Sequence, residues 1–120
     1  VIPKLQTNGG YDPIVINASL DPVIYAEMCD SISVRMKYTL SDKSDDYATL
    51  YFITSKDDAF DEKKAVKLKL SSSEKDSEGY AVYTFPMSGN AYWAGTVTGI
   101  RFDPANADGE FVIDYIRINT

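Results

Sequence analysis

The side chains equipped for chemistry in this chain are carboxylates, guanidiniums and aromatic rings. Its 120 residues hold no His and a single Cys, Cys29. Without His the commonest general base and metal ligand is missing, and with it any Ser-His-Asp or Cys-His relay. Carboxylates are plentiful, 18 against 12 Lys and Arg for a formal net charge of −6. They run as SDD, KDD and FDE in charged stretches, where solvation accounts for them. A glycosidase needs two carboxylates across a cleft, one with a raised pKa, and no such pair is marked out. A glycine-rich phosphate cradle is also missing. The expectation is that this chain is not an enzyme.

Metal chemistry has two candidate places. The stretch DPANADG carries oxygen donors at Asp103, Asn106 and Asp108 before Gly109. An EF-hand loop needs a different register, and Asp103 stands one residue too early for it. A plain hairpin turn at Asp108-Gly109 is the expectation. Asp114 lies between Ile113 and Tyr115 in an apolar strand, where a carboxylate needs water, a donor or a cation. It either faces solvent or serves as one ligand of an ion.

Aromatic chemistry is better supplied, with nine Tyr, five Phe and one Trp. Sugars present apolar C–H faces that stack on rings and hydroxyls that polar side chains catch, and Tyr suits both tasks. An acidic surface gives solubility and suits a neutral partner such as a polysaccharide. It disfavours a nucleic acid, which needs a concentrated basic patch. No apolar run is long enough to cross a bilayer, so no membrane partner is expected.

These groups must be positioned by strands. SISVRMKYTL alternates cleanly, with Ile32, Val34, Met36, Tyr38 and Leu40 on one face. YATLYFITS, AVKLKL, YAVYTFP, TVTGIRF and FVIDYIRI read as further strands, Pro86 ending its own or placing it at an edge. PIVINASL and VIYAEM complete a set of eight. The final two, TVTGIRF and FVIDYIRI, are expected to form a hairpin across the DG turn. No stretch has a helical period, so the chain reads as a single all-β domain over residues 1–120. An antiparallel β-sandwich, a jelly roll of about eight strands, is the expected architecture.

Strand faces then select a site. If Ile32, Val34, Met36, Leu50, Phe52, Ile100 and Phe102 face the core, Arg35, Lys37, Tyr51 and Arg101 face outward. Tyr51 would stack on a sugar ring while Arg35 and Arg101 donate to its hydroxyls. The competing reading is a solvated face with snorkelling side chains. Tyr83 and Trp93 stand in reserve if the groove lies toward the other sheet or the loops. Trp93, in NAYWAG, is either a stacking platform or a plug at one end of the sandwich.

The segment YWAGTVTGIRFDPANADGEFVIDYIRI, with LDPVIYAE and ISVRMKYTL before ATLYFITS, resembles a recurrent module of bacterial secreted and surface-layer-anchored polysaccharide-acting proteins. It is similar to carbohydrate-binding modules of the galactose-binding-like β-jelly-roll type. The likeness runs from Asp21 to Ile118 and is strongest in the last third. It implies a non-catalytic module that holds a neighbouring catalytic or anchoring module on a polysaccharide. It also implies an extracellular place, secreted or attached to a bacterial cell surface. Members of the wider group often hold a structural calcium ion between the first strand and an Asp of the last, which Asp114 matches. The segment NGGYDPIVIN departs from that pattern in having no Glu. The chain opens at Val1 without a Met, as a module excised from a larger protein would. The alternative function is a β-sandwich spacer or protein-interaction module of a bacterial extracellular protein, with no glycan ligand.

Overall fold

Alternation along the strands sorts their side chains between a shared interior and two outer faces. The computed structural model describes residues 5–7, 15–17, 20, 22–40, 47–104 and 109–119. Strands β1 (Leu5–Thr7), β2 (Val15–Asn17), β3 (Ile24–Tyr25), β4 (Ser31–Leu40), β5 (Tyr47–Thr54), β6 (Ala65–Lys69), β7 (Ala81–Phe85), β8 (Thr96–Asp103) and β9 (Gly109–Asn119) follow one another along the chain. They build two antiparallel sheets, one ordered β1-β9-β4-β7 and the other β2-β8-β5-β6, with β3 also paired to β8. Only short 3-10 turns interrupt them among the described residues. The fold is all-β.

The interior is the expected one. Ile32, Val34 and Met36 of β4, Leu50 and Phe52 of β5, and Ile100 and Phe102 of β8 are all buried. Phe85 of the first sheet meets Phe102 of the second edge to face, with ring centroids 5.9 Å apart. Contacts of this kind, made by rings from facing sheets, hold the layers together.

Two expectations are corrected. Strands β8 and β9 do not form a hairpin: β8 belongs to the β2-β8-β5-β6 sheet and β9 to the other, where it pairs with β1 and β4. Each carries its own buried row, Ile100 and Phe102 on β8 and Phe111, Ile113 and Ile116 on β9. Such rows bury more by facing across the sandwich than by lying side by side. The expected turn residue Asp108 lies outside the described residues. The stretch VIYAEM is not one strand either, since β3 ends at Tyr25 and Ala26–Met28 is a 3-10 turn. Strand β1, at the start of the chain, had no clear sequence signal.

The last strand also contains a fault in its pairing. Arg35 of β4 faces Tyr115 of β9, but the next residue, Met36, faces Ile113. Asp114 is therefore the extra residue of a β-bulge, which re-aims its side chain. The buried residues Phe111, Ile113 and Ile116 show the same fault as a change of phase.

The charged stretch KDDAFDEKK is more than a solvated loop. Tyr51 on the outer face of β5 donates from its hydroxyl to Glu62 Oε1 at 2.9 Å, tying this loop to the sheet. Lys64 is only 1% exposed. Its ammonium donates to the Asp57 carbonyl at 3.0 Å and the Ala59 carbonyl, and lies 2.9 Å from Asp57 Oδ1. Those oxygens replace the water that a buried ammonium gives up.

Phe52 meets Trp93 edge to face at 5.0 Å within this core. Truncating it to Ala should cost about 3–5 kcal/mol, measured by urea unfolding. A loss below about 1 kcal/mol would mean that the ring is not a core element.

Candidate functional site

The residues singled out from the sequence fall in different parts of the sandwich. Arg35 stands on the outer face of the β1-β9-β4-β7 sheet, whereas Tyr51 and Arg101 share the outer face of the other. The structure therefore joins Tyr51 to Arg101 and separates both from Arg35.

Tyr51 and Arg101 are direct cross-strand neighbours, and the guanidinium lies over the ring at 4.8 Å from its centroid. Arg101 and Asp103 are two apart on β8 and so share a face. The guanidinium forks onto the buried Asp103 carboxylate through Nε and Nη2, both at 2.8 Å. Tyr51 is only 9% exposed. Its hydroxyl pKa is pushed up to about 12, first by burial and then by the hydrogen bond to Glu62 and that carboxylate's charge. This ring already has its stacking partner.

Arg35 repeats the arrangement on the opposite face. Its guanidinium lies 4.1 Å from the centroid of the Tyr80 ring. Nη1 donates to Asp114 Oδ2 and Nη2 to Asp76 Oδ2, both at 2.7 Å. Burial opposes the charge on Arg35, but the hydrogen bonds to Asp76 and Asp114 prevail and raise its pKa. The bulge is what places Asp114 beside Arg35.

A calcium ion at Asp114 fits this arrangement poorly. Calcium collects several oxygen ligands, and among the described residues no three acidic, His or Cys side chains converge. The carboxylate already accepts from a guanidinium, whose positive charge would repel a second cation.

Tyr83 and Trp93 are both buried. Tyr83 is enclosed in the core, with its hydroxyl donating to the Leu70 carbonyl at 2.8 Å and its pKa pushed up by burial. It has no face to offer a ligand. Trp93 is 7% exposed, and its indole N–H donates to the carbonyls of Ala26 at 3.2 Å and Cys29 at 2.9 Å. It is a plug.

That plug also lines a groove with a volume of about 590 Å³, within the range of ligand sites. Its lining is Tyr25, Ala26, Glu27 and Asp30 from β3 and the turn after it, with Ser88, Ala94, Gly95 and Thr96 from the neighbouring segments. These segments are held side by side by backbone bonds, Ala26 N–H to the Gly95 carbonyl at 2.9 Å and Ser88 N–H to the Asp30 carbonyl at 3.1 Å, and Tyr25 pairs with Thr96 across β3 and β8. Gly95 has φ +72, which a side chain would make costly there. Tyr25 is 58% exposed at the rim, and Met28 beside it is exposed as well. Cys29 is buried behind the wall, and burial pushes its thiol pKa up, away from the reactive thiolate.

Tyr25 is the residue that sequence reasoning passed over. Its signal was present, an aromatic ring just before the 3-10 turn, but VIYAEM read as a strand with no means of telling which ring stayed outside.

No protein-family model, curated protein or solved structure matches this chain.

The Arg35 cluster has a measurable acid signature. Burial of Asp76 favours its neutral form, but the bonds from Arg35 and from the Tyr80 and Glu78 amides outweigh this and lower its pKa. A lowered folded-state pKa stabilises above the unfolded value and is lost as pH falls through the folded one. Asp76→Asn should therefore flatten the decline in Tm as pH falls below about 4, the unfolded value. Parallel curves for the variant and the parent would show that this pair carries no acid sensitivity.

Proposed function

We propose that this domain is a jelly-roll module that binds polysaccharide without catalysis, and that the groove beside Tyr25 is where it does so. The sheet orders β1-β9-β4-β7 and β2-β8-β5-β6 support the jelly-roll reading, because each sheet draws early, middle and late strands as two interleaved Greek keys would. The observation that carries the function is the exposed Tyr25 ring lining a groove that also holds Glu27, Asp30, Ser88 and Thr96. A sugar can stack on that ring while Ser88, Thr96 and the wall carboxylates engage its hydroxyls. The likeness of the closing segment to carbohydrate-binding modules points the same way. It also supports reading the chain as a module of a bacterial secreted or surface-attached protein, beside a catalytic or anchoring module.

A spacer or protein-contact role has its own support. On the outer face of the β1-β9-β4-β7 sheet, the Ser33 and Thr84 hydroxyls lie 3.0 Å apart, and Asn119 donates to Ser31 and Ser33. Such a face is polar and self-satisfied, as a spacer's would be.

Affinity electrophoresis against a broad panel of polysaccharides separates the two. The parent should be retarded by at least one, with a dissociation constant between roughly micromolar and millimolar. Tyr25→Ala should weaken binding about tenfold or more. Tyr51→Ala, provided it stays folded, should bind like the parent because its ring is covered by Arg101. Retardation lost in Tyr51→Ala and kept in Tyr25→Ala would move the site to the sheet face. No retardation of the parent anywhere in the panel would favour the spacer.

A further inference from the structure

The groove differs from the rest of the surface in the state of its carboxylates. On the two outer faces Asp76, Asp103 and Asp114 each meet a guanidinium. Glu27 and Asp30 line the groove and are exposed. Among the described residues neither has a cationic side chain within ion-pair distance. Among the described residues no Lys or Arg lines the groove. Residues bearing a ring, two carboxylates and two hydroxyls thus line one space, with no cationic residue among the described ones that line it.

We propose that the ligand is a polysaccharide whose sugars carry a free, protonated amine, an amino-sugar polymer that is not N-acetylated. This rests on the polysaccharide reading above and names the chemistry of its ligand. An ammonium gains from both the carboxylates and the negative face of the Tyr25 ring. The C–H face of the same sugar stacks on that ring, and its remaining hydroxyls match Ser88 and Thr96. The net charge of −6 adds a long-range attraction that a neutral glycan would not feel. A carboxylate-bearing glycan would be repelled by Glu27 and Asp30. A basic peptide shares the charge but not the stacked sugar face.

Calorimetry at low ionic strength, on the acid side of the amine titration, compares three hexamers of the same β-1,4 linkage: glucosamine, N-acetylglucosamine and glucose. The glucosamine hexamer should bind roughly tenfold more tightly than either of the others, and added salt should erode that advantage. The combined Glu27→Gln and Asp30→Asn variant should abolish it while the fold persists, because both side chains are exposed. Tyr25→Ala should weaken binding of the same hexamer. Equal binding of all three hexamers would overturn the amine assignment and leave the polysaccharide reading standing. If no hexamer binds while some neutral polysaccharide retards the parent, the amine assignment again falls alone. If nothing in either experiment binds, both fall. Binding of hexalysine as tight as the glucosamine hexamer, and untouched by Tyr25→Ala, would reduce the groove to a charged surface and overturn the assignment.

Discussion

One N–H group does more than any other to shape this end of the molecule. The indole of Trp93 donates to two backbone carbonyls, those of Ala26 and Cys29, while its ring meets Phe52 edge to face in the core. The carbonyls belong to the 3-10 turn that follows β3 and to its C-terminal cap. A buried carbonyl without a donor costs about 1–3 kcal/mol. The turn that carries Glu27 and follows Tyr25 is thus fixed to the sandwich interior by the loop that carries Trp93. Core and groove share this residue, which ties the turn lining the groove to the core beneath it.

The outer faces obey a related constraint. A strand face that is not packed on the interior still bears rings, and here each sheet covers one with a guanidinium. Arg101 lies over Tyr51 and is forked onto Asp103; Arg35 lies over Tyr80 and is bound by Asp76 and Asp114. These assemblies satisfy their own charge and cover their own apolar surface. A ligand would have to displace them before making any contact of its own. Among the described residues no guanidinium covers Tyr25, which stands where the chain leaves a strand.

Much of the fold was legible because alternation is a local property. SISVRMKYTL shows its buried and exposed residues without reference to any partner, and β4 spans the same residues. Partnership is not local. TVTGIRF and FVIDYIRI adjoin in sequence and suggest a hairpin, but their apolar rows are better buried from facing sheets. The β9 bulge was written in the sequence, since Ile113 and Ile116 are three apart where strict alternation requires two. Asp114 drew attention for its polarity, and the phase change around it went unread. The site was least legible for the same reason. Which tyrosines stay exposed, Tyr25, Tyr47 and Tyr92 among the described residues, depends on where Arg101, Arg35 and the loop at Lys64 come to rest, and only the assembled sandwich decides that.

The claim that Trp93 fastens the groove wall to the core is tested most directly by native-state hydrogen exchange on Trp93→Phe. That variant keeps a ring against Phe52 and removes the indole donor from both carbonyls, leaving that of Ala26 to the Cys29 amide. The amides of Ala26, Cys29 and Ser88, which bond to Gly95, Ala26 and Asp30, should lose protection by roughly tenfold more than those of Val34 and Phe52. A uniform loss across all five amides, or unchanged protection at Cys29, would contradict the claim and make the indole an ordinary part of the core.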